Sequence, residues 1–183
     1  FLDTYELEKA RGITIFSKQA VVSLGDSQVT LLDTPGHVDF SAEMERVLQV
    51  LDYGVLIING ADGVQGHTRT LWKLLERYHV PAFLFVNKMD QEGTDRTALL
   101  AELKEKLDSG CIPFDEGFSE ELYESLATCD EEALEEYLDK GELERETITR
   151  MIAERKVFPC YFGSALKIEG VQEFLDELEL YTK

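Results

Sequence analysis

Asp33 and Gly36 are three residues apart and directly follow an apolar, β-branched run at residues 29–32. The run predicts a buried strand, and Pro35 with Gly36 predicts a turn after it. A carboxylate at a buried strand tip, beside a glycine whose N–H can approach a ligand, is typical of a magnesium-phosphate site in an α/β sheet. We predict that Asp33 binds Mg²⁺ through water and that the Gly36 N–H meets a terminal phosphate. Taken alone, an ordinary strand-turn-helix has the same pattern.

His37 directly follows this glycine. Because histidine changes charge near neutral pH, His37 can orient a water molecule and stabilise charge as the water attacks a phosphate. The alternative is a histidine at a helix start with no chemical role. We predict that His37 is catalytic and that five consecutive residues contact the nucleotide: Asp33, Thr34, Pro35, Gly36 and His37.

A second polar segment, Asn87, Lys88, Met89 and Asp90, follows another apolar run. The Asp90 carboxylate can accept hydrogen bonds from N1–H and the 2-amino group of guanine, and adenine has no donors at those places. A site of this design can discriminate by roughly 10⁴-fold. Lys88 can lay its apolar stem along the base, and Asn87 can tie neighbouring loops together. The alternative is a plain polar turn.

A third segment, Ser164 and Ala165, follows Gly163 at the end of the next apolar run. Their backbone N–H groups could meet the 6-oxo group of guanine. Ser-Ala carries little weight by itself, and its value comes from its position one strand after the base-reading segment. We include Leu166 among the nucleotide-contacting residues.

Thr14 lies in the run of residues 11–15, before the first predicted strand. Its hydroxyl and carbonyl oxygens could bind Mg²⁺, and the loop could cover the phosphates. In isolation this pattern is weak.

Short apolar strands alternate with helical patterns along most of the chain, which predicts a mostly parallel sheet with helices on both faces. The Val55 strand is expected to be buried on both faces. Strands are predicted at residues 13–24, at the Val29 run after a hairpin turn at Gly25-Asp26, and at residues 55–58, 82–86 and 157–162. Four helices are predicted in the same domain. The first ends near Leu51, the second includes Leu71–Tyr78, the third covers about 94–107, and the last begins near Val171.

Residues 110–156 break this alternation and are predicted to form a helical insertion, with helix starts at Ser119 and Asp130. We therefore divide the chain into residues 1–109 and 157–183, which form the main α/β domain, and this insertion. Residues 115–146 hold 14 acidic and 2 basic residues, a charge of −12 out of −19 for the whole chain. The acidity indicates either a solvated helical face or a docking surface for a basic partner.

The composition bounds the remaining possibilities. No apolar run approaches 18 residues and no basic-then-apolar leader is present, so we expect neither a membrane span nor secretion. Three cysteines without CxxC spacing indicate core or incidental thiols in a reducing cytoplasm. A chain that begins at Phe1 is expected to be a fragment.

Together, residues 11–14, 33–37, 87–90 and 163–165 resemble the GTPase domain of translational GTPases. Histidine after the glycine favours that class over small signalling GTPases, which carry glutamine there. Residues 163–167 with Gly170-Val171-Gln172, and the insertion around residues 134–138, resemble elongation factor G. The spacing resembles most closely the tetracycline-resistance ribosomal protection proteins and their elongation-factor-G-like relatives.

The resemblance implies a P-loop NTPase-like α/β domain that binds GTP and GDP with Mg²⁺ and hydrolyses GTP on the ribosome. Thr14 would be a magnesium ligand of the first switch, with Ile13 in an apolar gate beside His37. The insertion would face the ribosomal stalk, and the parent protein would also meet ribosomal RNA. Translocation and drug resistance remain open as its role.

The 183 residues contain no G-x-x-x-x-G-K-[ST] loop, which the family places before Arg11. We expect the chain alone to bind nucleotide weakly and to be inactive. The strand before that loop lies between the Val29 and Val55 strands in the family, so bare edges and a non-native dimer are expected. A non-catalytic acidic interaction module and a non-ribosomal GTPase of related design are the alternatives.

Overall fold

The computed structural model describes residues 18–34 and 41–182, with the side chains of 41–43 excepted. The described strands are β1 (Lys18–Leu24), β2 (Ser27–Asp33), β3 (Gly54–Asn59), β4 (Ala82–Asn87), β5 (Cys111–Pro113) and β6 (Phe158–Phe162); the described helices are α1 (Ser41–Leu48), α2 (Gly66–Arg77), α3 (Arg96–Lys106), α4 (Glu120–Ala127), α5 (Glu131–Lys140), α6 (Arg145–Ala153) and α7 (Val171–Tyr181).

Four parallel strands form the central sheet in the order β3, β4, β6, β5. Alternation along β4 shows why helices cover both faces. Leu84 and Val86 join one apolar cluster with residues of α1, α2 and α3, and Phe83 and Phe85 join a second with residues of α4 to α7. Side chains of a strand point alternately to opposite faces, so an unbroken apolar run serves two cores. The predicted fold class is confirmed.

The hairpin of β1 and β2 forms a separate antiparallel sheet. Its turn is at Gly25 and Asp26 as predicted, and Gly25 adopts a φ of +54° that favours glycine. The prediction that the Val29 strand is buried is wrong, since no residue of β2 is buried and Leu31 is 45% exposed. Apolar, β-branched sequence favours a strand, but burial needs a covering layer. The hairpin tip meets α7, where the Asp26 N–H donates to Glu179 at 3.2 Å.

Strand β3 is the edge of the central sheet within the described residues. Burial on both faces was expected, but only one face is covered: Val55 is 39% and Ile57 57% exposed, whereas Leu56 and Ile58 are buried. A groove of about 1220 Å³ lies between β2 and β3.

The predicted helical insertion contains a strand that the sequence analysis did not predict. Cys111–Pro113 pairs in parallel with β6 and forms the other edge of the sheet. A three-residue run that follows a glycine and ends in proline is too short to show a period, so only its pairing identifies it. The predicted helix starts agree with the structure: Ser119 accepts from Leu122 N–H and Asp130 from Ala133 N–H.

All three cysteines are free, and Cys111 and Cys160 lie in the core. Across residues 18–34 and 41–182, no helix has the length and apolar character needed to cross a membrane.

Candidate functional site

Polar loops follow β3, β4 and β6 on one side of the sheet, at the carboxyl ends of these parallel strands. Asn59 pairs with Asn87, and Val86 pairs with Phe162, so the three strands end side by side. Carboxyl ends of parallel strands are where ligands bind in open α/β sheets. The segments 87–90 and 163–166 therefore meet, although Asp90 and Leu166 are 76 positions apart in the sequence.

The Asn87 side chain joins these two loops. Its carboxamide oxygen accepts the Lys88 N–H at 2.8 Å and the Ala165 N–H at 2.9 Å. Main-chain bonds reinforce the junction: the Met89 N–H donates to the Gly163 carbonyl at 3.0 Å, and the Gly163 N–H donates to the Val86 carbonyl at 3.0 Å. The two loops thus form one rigid rim.

Gly163 is required by this close approach. A Cβ built there would lie 2.2 Å from the Glu169 carbonyl oxygen. The same carbonyl accepts the Ser164 N–H at 3.0 Å, and the Ser164 carbonyl accepts the Glu169 N–H at 3.0 Å. These paired bonds close the loop. They hold Ser164, which is 1% exposed, with its hydroxyl beneath the rim.

Asp90 is the ionised group of the site. The Ser164 hydroxyl donates to its carboxylate and, with Lys167, holds the pKa of Asp90 below its ordinary value. The Lys167 Nζ lies 3.6 Å from the carboxylate, and the Asp90 side chain is 19% exposed. An acceptor that is fixed, charged and open to solvent can receive two N–H donors from a base.

Lys88 and Ile168 adopt left-handed backbone conformations, with φ of +64° and +61°. Such conformations are uncommon outside glycine and cluster at functional sites. Leu166 and Ile168 are 91% and 72% exposed beside this rim. Sequence reasoning included Leu166 but missed Lys167 and Ile168, whose only signal was their place directly after it.

The backbone amides differ from the expectation for the 6-oxo group. The N–H groups of Ser164 and Ala165 already donate to Glu169 and Asn87. The Leu166 N–H has no acceptor among the described residues, which leaves it as the donor at this position. The local pattern could not show which amides the loop uses for itself.

Asp33 and Thr34 lie at the end of the hairpin and line the groove beside β3. The other predicted phosphate and switch residues, which are Ile13, Thr14, Pro35, Gly36 and His37, lie outside the described residues. Their predicted roles, and the convergence of Asp33 with the base-reading rim, stay predictions.

Within the described ranges, no three side chains of His, Cys, Asp or Glu cluster as a metal site. The predicted Mg²⁺ ligands are Thr14 and Asp33, and only Asp33 is described. Its carboxylate is the oxygen donor that Mg²⁺ prefers, so this residue fits the predicted ion.

Comparisons with known proteins show the family and the fold of the chain. Residues 1–183 match the family described as the elongation factor Tu GTP binding domain. A crystal structure of a protein from Thermus thermophilus shares the fold, with a TM-score of 0.86 and 22% identity over 98% of this chain and 34% of that one.

Three curated relatives show similarity over nearly the whole chain. Elongation factor G of Granulibacter bethesdensis is 33% identical over 96% of this chain and 32% of its own length. Tetracycline resistance protein TetM of Streptomyces lividans is 37% identical, covering 94% and 30%. Tetracycline resistance protein TetW of Butyrivibrio fibrisolvens is 33% identical, covering 95% and 30%. The chain spans about a third of the length of each relative.

Proposed function

Because this chain belongs to the elongation factor Tu GTP binding domain family, we propose that it is the guanine-binding part of a translation factor that hydrolyses GTP on the ribosome. The names of the similar elongation factor G and tetracycline resistance proteins support translocation or ribosomal protection as the activity of the whole protein. The protein would act in the cytoplasm, where ribosomes are found.

The observation that carries the proposal is the bond between Asn87 and Ala165, which places the Asp90 carboxylate on a fixed rim. Asp90 accepts N1–H and the 2-amino group of guanine, and the Leu166 N–H faces the 6-oxo group. Adenine would leave the Asp90 carboxylate without a donor. The free-energy cost of leaving a charged acceptor unpaired is larger than the net contribution of one hydrogen bond in water. The rim therefore selects guanine.

Competition between nucleotides tests this selectivity. We expect unlabelled GDP to displace fluorescent GDP at least 100-fold better than ADP does, since such sites discriminate by roughly 10⁴-fold. The Asp90→Ala variant should lose this preference. Glu92→Ala removes an exposed acid two residues away and should keep it. Equal displacement by GDP and ADP would contradict guanine recognition.

Hydrolysis depends on the residues ahead of this rim. Thr14 and Asp33 would hold Mg²⁺, which neutralises charge on the phosphates, and His37 would orient the attacking water beside the Ile13 gate. Residues 34–36 would contact the terminal phosphate. In a chain that carries a glycine-rich lysine loop and its strand ahead of residue 1, His37→Ala removes the imidazole and should lower GTP turnover while GDP affinity stays unchanged.

Weak nucleotide binding by these 183 residues is a separate part of the proposal, because no glycine-rich lysine loop occurs in them. Each missing charge-assisted hydrogen bond is worth about 1.5–3 kcal/mol. Adding that loop and its strand ahead of residue 1 should tighten GDP binding by orders of magnitude. Equal, tight binding with and without it would refute this part.

A second candidate function is docking of a basic ribosomal partner, such as a stalk protein, on α5. Leu134 and Leu138 are one turn apart and 40% and 76% exposed. Glu131 and Glu135 lie on the same exposed helix. An apolar pair between carboxylates fits a partner that presents apolar and basic side chains together.

Charge removal tests this docking surface, provided that the fold is left intact. Glu136 is unsuitable because it accepts from Lys140, from the Glu144 N–H and from Thr147. The double variant Glu131→Gln/Glu135→Gln should weaken capture of purified stalk protein about tenfold. Glu92→Gln/Glu105→Gln removes two exposed charges elsewhere and should not. Equal capture by both variants would count against docking at α5.

A further inference from the structure

Arg96 links three segments of the chain on the side of the sheet that carries the nucleotide rim. It is the first residue of α3, six positions after Asp90. Its guanidinium contacts Phe162, at the end of β6, and Asp115 and Glu116, in the loop after β5. Because these contacts come from separate segments, Arg96 holds the start of α3 against β6 and against the helical insertion.

The ion pair between Arg96 and Asp115 has a fixed direction. Nη2 of Arg96 donates to Oδ1 of Asp115 at 2.7 Å, and Nε donates to Oδ2 at 3.3 Å. Nη1 lies 2.8 Å from the Glu116 carboxylate. A fork of donors fixes the plane of the guanidinium as well as its distance from the carboxylate. The Asp115 side chain is 16% exposed, so salt and water screen the pair only in part.

The face of the same guanidinium lies over the ring of Phe162. Cζ of Arg96 is 4.9 Å from the ring centroid, and Phe162 is buried. An arginine can stack on an aromatic face while its edge donates hydrogen bonds. Phe162 directly precedes Gly163, whose carbonyl accepts the Met89 N–H. Arg96 therefore contacts the strand that leads into Ser164.

Short-range bonds connect the start of α3 to the guanine-reading segment. The Gln91 N–H donates to the Lys88 carbonyl at 3.1 Å and closes a turn around Asp90. Four residues later, Asp95 caps α3 with its side chain. Because this compact turn leads directly into the helix, a displacement of α3 would move the Asp90 carboxylate relative to the Ser164 hydroxyl.

We propose that Arg96 is a positioning residue for guanine recognition, and that the helical insertion contributes to this recognition through Asp115. The inference rests on the proposed function, in which Asp90 accepts N1–H and the 2-amino group of guanine. Both donors are met only while the carboxylate keeps its place and direction, since hydrogen bonds weaken steeply as their angle departs from linear. Arg96 keeps this geometry by holding α3 in place.

Inosine diphosphate (IDP) tests the position of Asp90, because its base keeps N1–H and lacks the 2-amino group. In competition with fluorescent GDP, the wild-type chain should prefer GDP to IDP by about tenfold or more, which corresponds to one charge-assisted hydrogen bond. Arg96→Gln and Asp115→Asn should each reduce this preference to about threefold or less, because the bond to the 2-amino group is then misaligned. The double variant should lose no more than either single one, since the two residues act together.

Arg150→Gln is the matched control. Arg150 pairs with Asp130 at 2.8 Å within the helical insertion, so its removal should lower the urea midpoint and leave the preference for GDP over IDP unchanged. An equal loss of preference in Arg150→Gln and Arg96→Gln would indicate a general effect of stability and overturn the proposal. Urea unfolding of each variant confirms that it is folded, and Asp115→Asn tests the same contact if Arg96→Gln is not.

Two outcomes separate this inference from the proposed function. A wild-type chain that does not prefer GDP to ADP would refute guanine recognition and this inference with it. A wild-type chain that prefers GDP to both ADP and IDP, with the same preferences in Arg96→Gln and Asp115→Asn, would overturn only the positioning role of Arg96.

Discussion

The carboxamide oxygen of Asn87 accepts the backbone N–H of Ala165 at 2.9 Å, across 78 residues of sequence. With the bond from the Met89 N–H to the Gly163 carbonyl, it joins the loop after β4 to the loop after β6. It also uses the amide that sequence reasoning had reserved for the base. The side chain of Asn87 is therefore a structural tie within the rim, and base recognition falls to Asp90 and the Leu166 amide.

Replacing this tie should weaken both stability and binding. Asn87→Ala removes two hydrogen bonds, each worth about 1 kcal/mol, so we expect a loss of about 1–2 kcal/mol in the free energy of unfolding. GDP affinity should fall about tenfold or more because the two loops no longer move together. Urea unfolding and GDP titration measure the two effects. Asn87→Asp keeps an acceptor oxygen and should recover most of the stability; no recovery would show that the oxygen is not the cause.

The ionisation of Asp90 should depend on Ser164. The serine hydroxyl is the main cause of the lowered pKa of Asp90, so Ser164→Ala should move its titration midpoint up toward the ordinary value. Because the folded-state pKa is lowered, the charged form persists from neutral pH to below about 4, and base binding should fall only as pH drops further. Carboxyl-carbon NMR follows the midpoint. Thr94→Ala, which loses bonds to the Met89 and Gln91 carbonyls, should not move it.

Gly163 should tolerate no side chain. In Gly163→Ala the new methyl would lie 2.2 Å from the Glu169 carbonyl, so the loop must open. We expect a loss of about 1–3 kcal/mol in the free energy of unfolding, typical of overpacking, together with reduced GDP affinity. Gly66→Ala places a methyl at the first residue of α2 with nothing within 4 Å and should leave both quantities unchanged. Comparable losses in the two variants would contradict the steric explanation.

Asp130 should stabilise the helical insertion. Its side chain is 4% exposed, caps α5 through the Ala133 N–H at 3.0 Å, and binds Arg150 at 2.8 Å and Lys156. Asp130→Ala should lower the free energy of unfolding by about 2–4 kcal/mol, since it removes a helix cap and the charge-assisted hydrogen bonds to Arg150 and Lys156. The exposed Asp139→Ala should cost little.

The same carboxylate sets a pH dependence. Arg150, and then Lys156, lower the folded-state pKa of Asp130. Its contribution to stability is therefore complete above the ordinary carboxyl pKa of about 3.9 and is lost as pH falls below that value. Unfolding measured from pH 6 to pH 3 should show this loss. Asp130→Asn keeps the helix cap but not the charge, so its stability should vary less over that range.

The exposed edge of β3 should pair with a second copy of the chain. Within residues 18–34 and 41–182, no strand pairs with the outer side of β3, which presents its backbone groups beside Val55 and Ile57, a pattern that favours strand addition. Sedimentation at rising concentration should show a dimer, and Ile57→Lys should remove it. Leu138→Lys makes the same change at a more exposed site on α5. A wild-type chain that stays monomeric, or equal effects of both lysines, would argue against edge pairing.

The sequence alone determined the order and chemistry of the loops. Asn87, Asp90 and Ser164 each follow an apolar run, and parallel strands bring their carboxyl ends to one edge whatever their separation in the chain. The caps at Ser119 and Asp130 were equally readable, because a cap depends on residues three apart. These features rest on local periodicity and on the hydrogen-bonding capacity of single side chains.

Only the tertiary structure decided what depends on neighbours distant in the chain. The exposure of β2 and of Ile57 reflects which strands lie beside them, and apolar sequence is the same in a covered and an uncovered strand. The three residues of β5 became a strand by pairing with β6. The Ala165 amide is occupied because loops from two separate segments meet, which no local pattern encodes.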